Sequence, residues 1–216
     1  MKYKCLILDH DDTVVDSTRT VNYLSFSEVL QDIRPGLDLS LDDFFKLNFD
    51  PGFIAMCQDI LKFSPEEMTY QEDHWRKFIS NHNPSIFPGM KNLLWDYVNL
   101  GGKIFIVSHS TEKDILRHYS FHKLPIPEKV YGWEYEEEKR KPNPWPIEDI
   151  IENHGFDRKD ILMVDDLKPG QVMADKANIN FAAAGWAHDI AEIKNYMMKE
   201  ADYYCQNIED LRKIIL

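Results

Sequence analysis

A short apolar run near the start of the chain ends directly in a group of acids, and this feature most constrains the fold. Residues 5–8 have the length and character of a β-strand buried on both faces, as in a parallel sheet. Asp9, Asp11 and Asp12 follow at once. Negative charge beside a buried strand is costly unless a cation or a function offsets it. Because ligands of open α/β sheets bind at the carboxyl ends of strands, Asp9 and Asp11 stand where an active site is expected.

The second half of the chain alternates strand-like apolar runs with helical segments. Five further strands are predicted, at residues 103–107, 129–133, 161–164, 180–184 and 201–205. Strands that alternate with helices form a parallel sheet through right-handed crossovers. The predicted fold class is therefore α/β, with a Rossmann-like parallel sheet as its core.

Residues 14–86 show helical spacing and no strand pattern. The sequence SPEE from Ser64 predicts a helix start, with Ser64 as the N-cap and proline in the first turn. We therefore expect a core domain formed by residues 1–13 and 87–216, and an inserted helical cap domain formed by residues 14–86. An insertion placed directly after the first acids is expected to act as a lid over them. A helical interaction module is the alternative for this segment.

Composition limits the classes of partner. The 216 residues include 37 acids and 25 bases, a formal net charge of −12, so a nucleic-acid partner is not expected. No apolar run approaches the length of a membrane span, and no secretory signal is recognised, so we expect a cytoplasmic protein. The three cysteines, Cys5, Cys57 and Cys205, form no CxxC pair and no disulfide framework, and Cys5 and Cys205 are predicted to pack in the core.

Polar residues stand at the ends of three predicted strands and in one loop. Ser108 ends the second strand, Asp165 and Asp166 end the strand at 161–164, and Lys141 precedes a rigid Pro-Asn-Pro segment. Together with the first acids, these groups can converge at one edge of a parallel sheet. Carboxylate oxygens suit Mg²⁺, while serine and lysine bind phosphate oxygens. One carboxylate can attack phosphorus and another can exchange protons, which is the equipment of phosphoryl transfer.

Each of these residues also has an ordinary interpretation. Ser108 is a reasonable helix cap, Lys141 belongs to a basic run of the kind that is usually solvated, and Asp165 and Asp166 could cap the helix after them. Their joint occurrence at strand ends, in this order, carries the functional interpretation.

That order resembles the haloacid dehalogenase superfamily over nearly the whole chain. The sequence DHDDT from Asp9 is similar to its first motif, IVSHS around Ser108 to its second, KPNP from Lys141 to its third, and VDD ending at Asp166 to its fourth. The insertion resembles the C1 cap of the phosphoglycolate phosphatase and β-phosphoglucomutase group. The resemblance implies a monomer or homodimer that acts on a small phosphorylated metabolite with Mg²⁺ as cofactor.

The resemblance also implies a role for each site residue. Asp9 would be the nucleophile and a metal ligand, and Asp11 the general acid/base, with its backbone carbonyl on the metal. Asp166, with Asp165 as neighbour or alternate, would complete the metal site. The phosphate-binding residues would be Ser108, His109 and Lys141.

Two positions depart from the family pattern, and one discriminates within it. Asp12 replaces the common glycine, and Gly170 stands where many members have a second acid. The discriminating position is Asp11. Dehalogenases carry an aromatic residue there and phosphonatases a small one, so an acid at this position favours phosphate-ester chemistry. The leading hypothesis is a Mg²⁺-dependent phosphatase that forms an aspartyl-phosphate. A phosphomutase and, below it, a non-catalytic phosphate-binding relative are the alternatives.

Overall fold

The computed structural model describes all residues from 1 to 216, and the chain divides into two compact units. One unit comprises Met1–Val15 and Ile86–Leu216, and the other comprises Asp16–Ser85. No helix combines the length and apolar composition that crossing a membrane requires.

Eight strands form two sheets. In chain order they are β1 Cys5–Leu8, β2 Val15–Asp16, β3 Ser85–Ile86, β4 Lys103–Val107, β5 Lys129–Tyr131, β6 Ile161–Asp165, β7 Asn180–Ala184 and β8 Tyr203–Cys205. The large sheet has the order β5-β4-β1-β6-β7-β8, and its neighbouring strands pair in parallel. This is the doubly wound order of Rossmann folds, so the predicted fold class is confirmed.

Two short strands lie outside the large sheet, and the chain has ten α-helices besides short π- and 3₁₀-helical segments. Short strands β2 and β3 pair with each other, so the expectation that residues 14–86 hold no strand is wrong at both ends of that segment. The ten α-helices are α1 Tyr23–Ile33, α2 Leu41–Phe49, α3 Phe53–Ala55, α4 Pro65–Asn81, α5 Met90–Asn99, α6 Glu112–His122, α7 Trp145–His154, α8 Lys168–Lys176, α9 Ala191–Glu200 and α10 Ile208–Ile215.

The register of the large sheet aligns the ends of its three central strands. Leu8, the last residue of β1, pairs with Ile106 of β4 and with Val164 of β6. All residues of β1 and β6 are buried, as expected for parallel strands covered on both faces. The polar residues that follow β1 and β4 and end β6 therefore lie along one edge.

The helical unit has its own core and the predicted helix start. Its buried cluster comprises Phe26, Val29, Leu30, Phe44, Met56, Cys57 and Phe63. Ser64 and Glu67 form a capping box at the start of α4, which confirms the prediction from the SPEE sequence. The three cysteines are free and buried, which confirms the prediction for Cys5 and Cys205 and adds Cys57. Burial raises the pKa of Cys57 and Cys205 to about 12.

Candidate active site

Asp9 is the first residue after β1, and its carboxylate is almost completely buried. Its backbone N–H donates to the carbonyl of Val164 at 2.9 Å, which extends the pairing with β6 by one residue. Carboxylate oxygens of Asp9, Asp165 and Asp166 all lie within 4.8 Å of one another. The edge of the sheet thus brings together three of the four acids that were predicted to form a metal site.

Lys141 reaches this group from the loop before α7. Its buried ammonium donates to Asp9 Oδ1 and to Asp165 Oδ2, each at 2.7 Å. Burial acts to lower the pKa of Lys141, but the two carboxylates outweigh it and raise that pKa. The lysine is therefore a fixed positive charge between the two acids.

One ammonium does not balance three buried acids. Burial is the main cause that raises the pKa of Asp9 to about 8; Lys141 partly offsets it, and Asp165 and Asp11 add to it. Burial, followed by the charges of neighbouring acids, raises the pKa of Asp166 well above its usual range. A surplus of buried carboxylate oxygens is the donor set that a hard divalent cation such as Mg²⁺ takes. The residues present therefore fit the implied metal.

Asp165 is the acid of this group most engaged with the protein. Its Oδ1 accepts the backbone N–H of Leu167 at 2.8 Å, while its Oδ2 accepts Lys141. The carboxylate of Asp166 accepts a single hydrogen bond, a long one of 3.5 Å from Thr13 Oγ1. The carboxylates of Asp9 and Asp166 are consequently the better placed of the three to bind an ion.

The carboxylate of Asp11 turns away from the three acids and toward the loop after β4. Its Oδ2 accepts Ser110 Oγ at 2.6 Å and Ser108 Oγ at 3.4 Å. The following residue, Asp12, has a left-handed backbone with φ of 55°, which explains why glycine is common there and why an acid is tolerated. The predicted contribution of Asp11 to a metal site through its carbonyl stays a prediction.

Ser110 is the contact that the sequence did not predict. Its hydroxyl makes the shorter bond to Asp11, and its backbone N–H donates to Ser108 Oγ at 3.1 Å. The signal in the sequence is a second hydroxyl two residues after Ser108, on the same loop. Ser108 is buried beside it, close to Asp11, as the predicted convergence of strand ends requires.

His109 lies between these two serines, and its side chain is exposed. Its Nε2–H donates to the carbonyl of Lys141 at 3.2 Å. Crowding by surrounding atoms and the nearby Lys141 ammonium lower the pKa of His109 to about 4, so the ring is neutral at pH 7.

A comparison of the sequence with protein-family models identifies the family of this fold. Residues 6–184 match the model of the haloacid dehalogenase-like hydrolases. The chain belongs to this family and is a hydrolase of that class. A search of the curated proteins found no match.

Solved structures of low sequence identity share the whole fold. A predicted phosphoglycolate phosphatase of Haemophilus somnus is 19% identical, with a TM-score of 0.74 over 100% of this chain and 99% of that one. A haloacid dehalogenase-like protein of unknown function from Agrobacterium tumefaciens is 16% identical, with a TM-score of 0.79 over 99% and 97%. CbbY of Rhodobacter sphaeroides, in complex with phosphate, is 12% identical, with a TM-score of 0.71 over 97% and 96%.

Proposed function

We propose that this protein is a Mg²⁺-dependent phosphatase that hydrolyses a small organic phosphate monoester through an aspartyl-phosphate. The observation that carries the proposal is the bridge from Lys141 to Asp9 and Asp165 within a cluster of three buried carboxylates. Such an arrangement is expensive to bury and is suited to neutralise a phosphoryl group beside a nucleophile.

The proposed reaction has two displacements at phosphorus. An oxygen of Asp9 attacks, the bond from phosphorus to the ester oxygen breaks, and Asp11 gives its proton to the departing alcohol. Asp11 then takes a proton from water, whose oxygen attacks phosphorus and releases phosphate and the Asp9 carboxylate. Ser108, His109 and Lys141 are proposed to hold the phosphoryl oxygens. Mg²⁺, when bound, would neutralise phosphoryl charge.

The proposed metal ligands are Asp9 and Asp166, the carbonyl of Asp11, and Asp165 as neighbour or alternate. We propose that the helical unit, Asp16–Ser85, serves as the cap. Its place in the chain, a few residues after the nucleophile, supports this role. A cap that limits water at the intermediate is the general means by which such a site protects its chemistry.

The substrate class has independent support. CbbY, which shares the fold, has been captured with phosphate and with xylulose-1,5-bisphosphate. The net charge of −12 supports a small metabolite rather than nucleic acid as the partner. Three free, buried cysteines are typical of a reducing compartment, which supports a cytoplasmic location, and we propose a monomer or homodimer.

The test is hydrolysis of p-nitrophenyl phosphate with Mg²⁺, with excess EDTA, and by the Asp9→Asn variant. We expect turnover only for the metal-loaded wild type, and a mass gain of one phosphoryl group when the reaction is quenched early. Asp157→Asn is the matched control, because this acid is exposed. Hydrolysis that survives both EDTA and Asp9→Asn would overturn the mechanism. Phosphoryl transfer to a second substrate molecule without phosphate release would assign a phosphomutase instead.

A further inference from the structure

Arg140 is a cation that is held in place and yet lacks an ionic partner. Its guanidinium carbon lies 3.9 Å from the centre of the Trp133 ring, so the two planes are in close contact. Its Nε is buried and makes no hydrogen bond, and the guanidinium forms no ion pair. In a chain with a large excess of acids, an immobilised arginine without a carboxylate is unusual.

Two acids near Arg140 in the sequence, Glu134 and Glu136, have other partners. Glu136 forms an ion pair with Lys139 at 3.0 Å. The carboxylate of Glu134 accepts the backbone N–H of Glu112 at 3.0 and 3.2 Å. Glu137 and Glu138 line the same cavity as Arg140, but neither forms an ion pair with it, so the guanidinium is available to an external anion.

Trp133 connects this arginine to the loop that follows β4 and contacts Asp11. Its backbone N–H donates to the carbonyl of Ser110 at 3.0 Å, and the Ser110 hydroxyl donates to Asp11. The ring of His109 stands perpendicular to the Trp133 ring, with 6.0 Å between their centres. The Arg140–Trp133 pair thus borders the loop that contacts the proposed general acid.

A solvent-open cavity of about 410 Å³ is lined by Arg140 and Lys141 together. Glu137, Glu138 and Lys176 also line it, so its charges nearly cancel and no general field attracts an anion there. Binding would depend on the geometry of the guanidinium, whose paired N–H groups match the two oxygens of a carboxylate or phosphate.

We propose that Arg140, stacked on Trp133, binds a second anionic group carried by the alcohol part of the substrate. This group is a carboxylate or a phosphate, and Arg140 is a residue that determines specificity. The inference rests on the proposed function, because it assigns the reacting phosphate to the neighbouring Lys141 and Asp9. It narrows the substrate class from any small monoester to one with a second negative charge.

The experiment compares three esters of one carbon skeleton. Hydroxyethyl phosphate has a neutral end, phosphoglycolate a carboxylate, and ethylene glycol bisphosphate a second phosphate. The values of kcat/KM are measured with Mg²⁺ for the wild type and for Arg140→Gln, Arg140→Lys and Lys139→Gln. Lys139→Gln is the matched control, because it removes a neighbouring charge that is already paired. Circular dichroism and thermal melting verify that each variant is folded.

We expect the wild type to prefer at least one doubly anionic ester over the neutral one by about tenfold or more, the usual value of a hydrogen bond to a charged group. Arg140→Gln should remove this preference, Arg140→Lys should keep part of it, and Lys139→Gln should keep all of it. Which ester is preferred distinguishes a carboxylate subsite from a phosphate subsite. A wild type without preference, or a preference unchanged by Arg140→Gln, would overturn the inference.

Failure of the proposed function gives a different result. If none of the three esters is hydrolysed, the same series is measured as equilibrium binding by calorimetry in the presence of Mg²⁺. Tighter binding of the doubly anionic compounds, lost in Arg140→Gln, would support the subsite while the phosphatase mechanism fails. Equal or absent binding of all three compounds would overturn the subsite as well.

Discussion

Gly170 lies so close to Asp165 that a Cβ built on it would stand 2.1 Å from Asp165 Oδ2. This glycine, in the first turn of α8, occupies the position at which many family members carry a second acid. The backbone here has no left-handed φ, so space is the only reason for a glycine. The missing Cβ leaves room for the carboxylate that Lys141 and the N–H of Leu167 hold in place.

Replacement of Gly170 by alanine should therefore damage the site. Alanine normally favours a helix over glycine by about 1 kcal/mol. Here we expect the opposite sign, with the free energy of unfolding lower by about 1–3 kcal/mol, because Asp165 must move. Urea denaturation measures the loss, and kcat for p-nitrophenyl phosphate should fall because Lys141 loses one of its two fixed partners.

Gly102→Ala is the control for a clash without a catalytic consequence. A Cβ there would meet the Tyr97 ring at 2.3 Å, away from the catalytic edge. Both variants should lose stability, but only Gly170→Ala should lose kcat per folded molecule. Equal loss of kcat in the two variants would contradict the specific link between Gly170 and Asp165.

The carboxylate of Asp166 is predicted to destabilise the metal-free protein and to stabilise the metal-bound one. Its pKa is raised by burial and by the neighbouring acids, so at neutral pH and above its charge opposes folding. In EDTA at about pH 8, Asp166→Asn should raise the melting temperature by at least about 3 °C, equivalent to about 1 kcal/mol. In the wild type, Mg²⁺ should raise the melting temperature by mass action, and in Asp166→Asn this response should be largely lost.

Asp189→Asn provides the comparison, because Asp189 is exposed and lies outside the acid cluster. It should melt close to the wild type in EDTA and show the full response to Mg²⁺. Asp166 would not be a metal ligand of this kind if the Asp166→Asn protein melted below the wild type in EDTA and still gained the full stabilisation from Mg²⁺.

The ends of the strands could be predicted from the sequence because the chain changes there, within one residue, from apolar and buried to charged. The run from Cys5 to Asp9 shows this change, and the same signal marks the end of β6 at Asp165. Parallel pairing then places these ends along one edge, whatever the details of the loops. The family pattern added Lys141, which charge patterning alone would have assigned to a solvated run.

Contacts that depend on side-chain direction could not be predicted in this way. Ser108 was expected beside the reacting group, but Ser110 makes the shorter bond to Asp11. The space that Gly170 provides is a property of three-dimensional packing with no pattern in the sequence. His10, an unremarkable residue between two acids, is fully buried with His118 of α6 as its partner.

The two histidines form a directional chain behind the active-site turn. Nε2 of His10 lies 2.9 Å from Nδ1 of His118, and Nε2 of His118 lies 3.0 Å from Nη2 of Arg117. A guanidinium only donates, so His118 must accept at Nε2 and carry its proton on Nδ1, which donates to His10. Both rings are therefore neutral. In agreement, burial, His10 and Arg117 lower the pKa of His118 to about 3.

This arrangement predicts a loss of stability as the pH falls. The folded state resists protonation of His118 down to about pH 3, whereas an unfolded histidine takes a proton near pH 6.5. The unfolded state thus binds more protons, so stability is complete above about pH 6.5 and falls below it. Between about pH 7.5 and pH 5, the free energy of unfolding should fall by about 2 kcal/mol because of His118 alone.

Urea denaturation of the wild type and of His118→Leu at both pH values measures this contribution. Leu116→Ala, a change on the same helix that removes no titratable group, should keep the slope of the wild type. A His118→Leu protein with that same slope would show that His118 is not held neutral in the folded state.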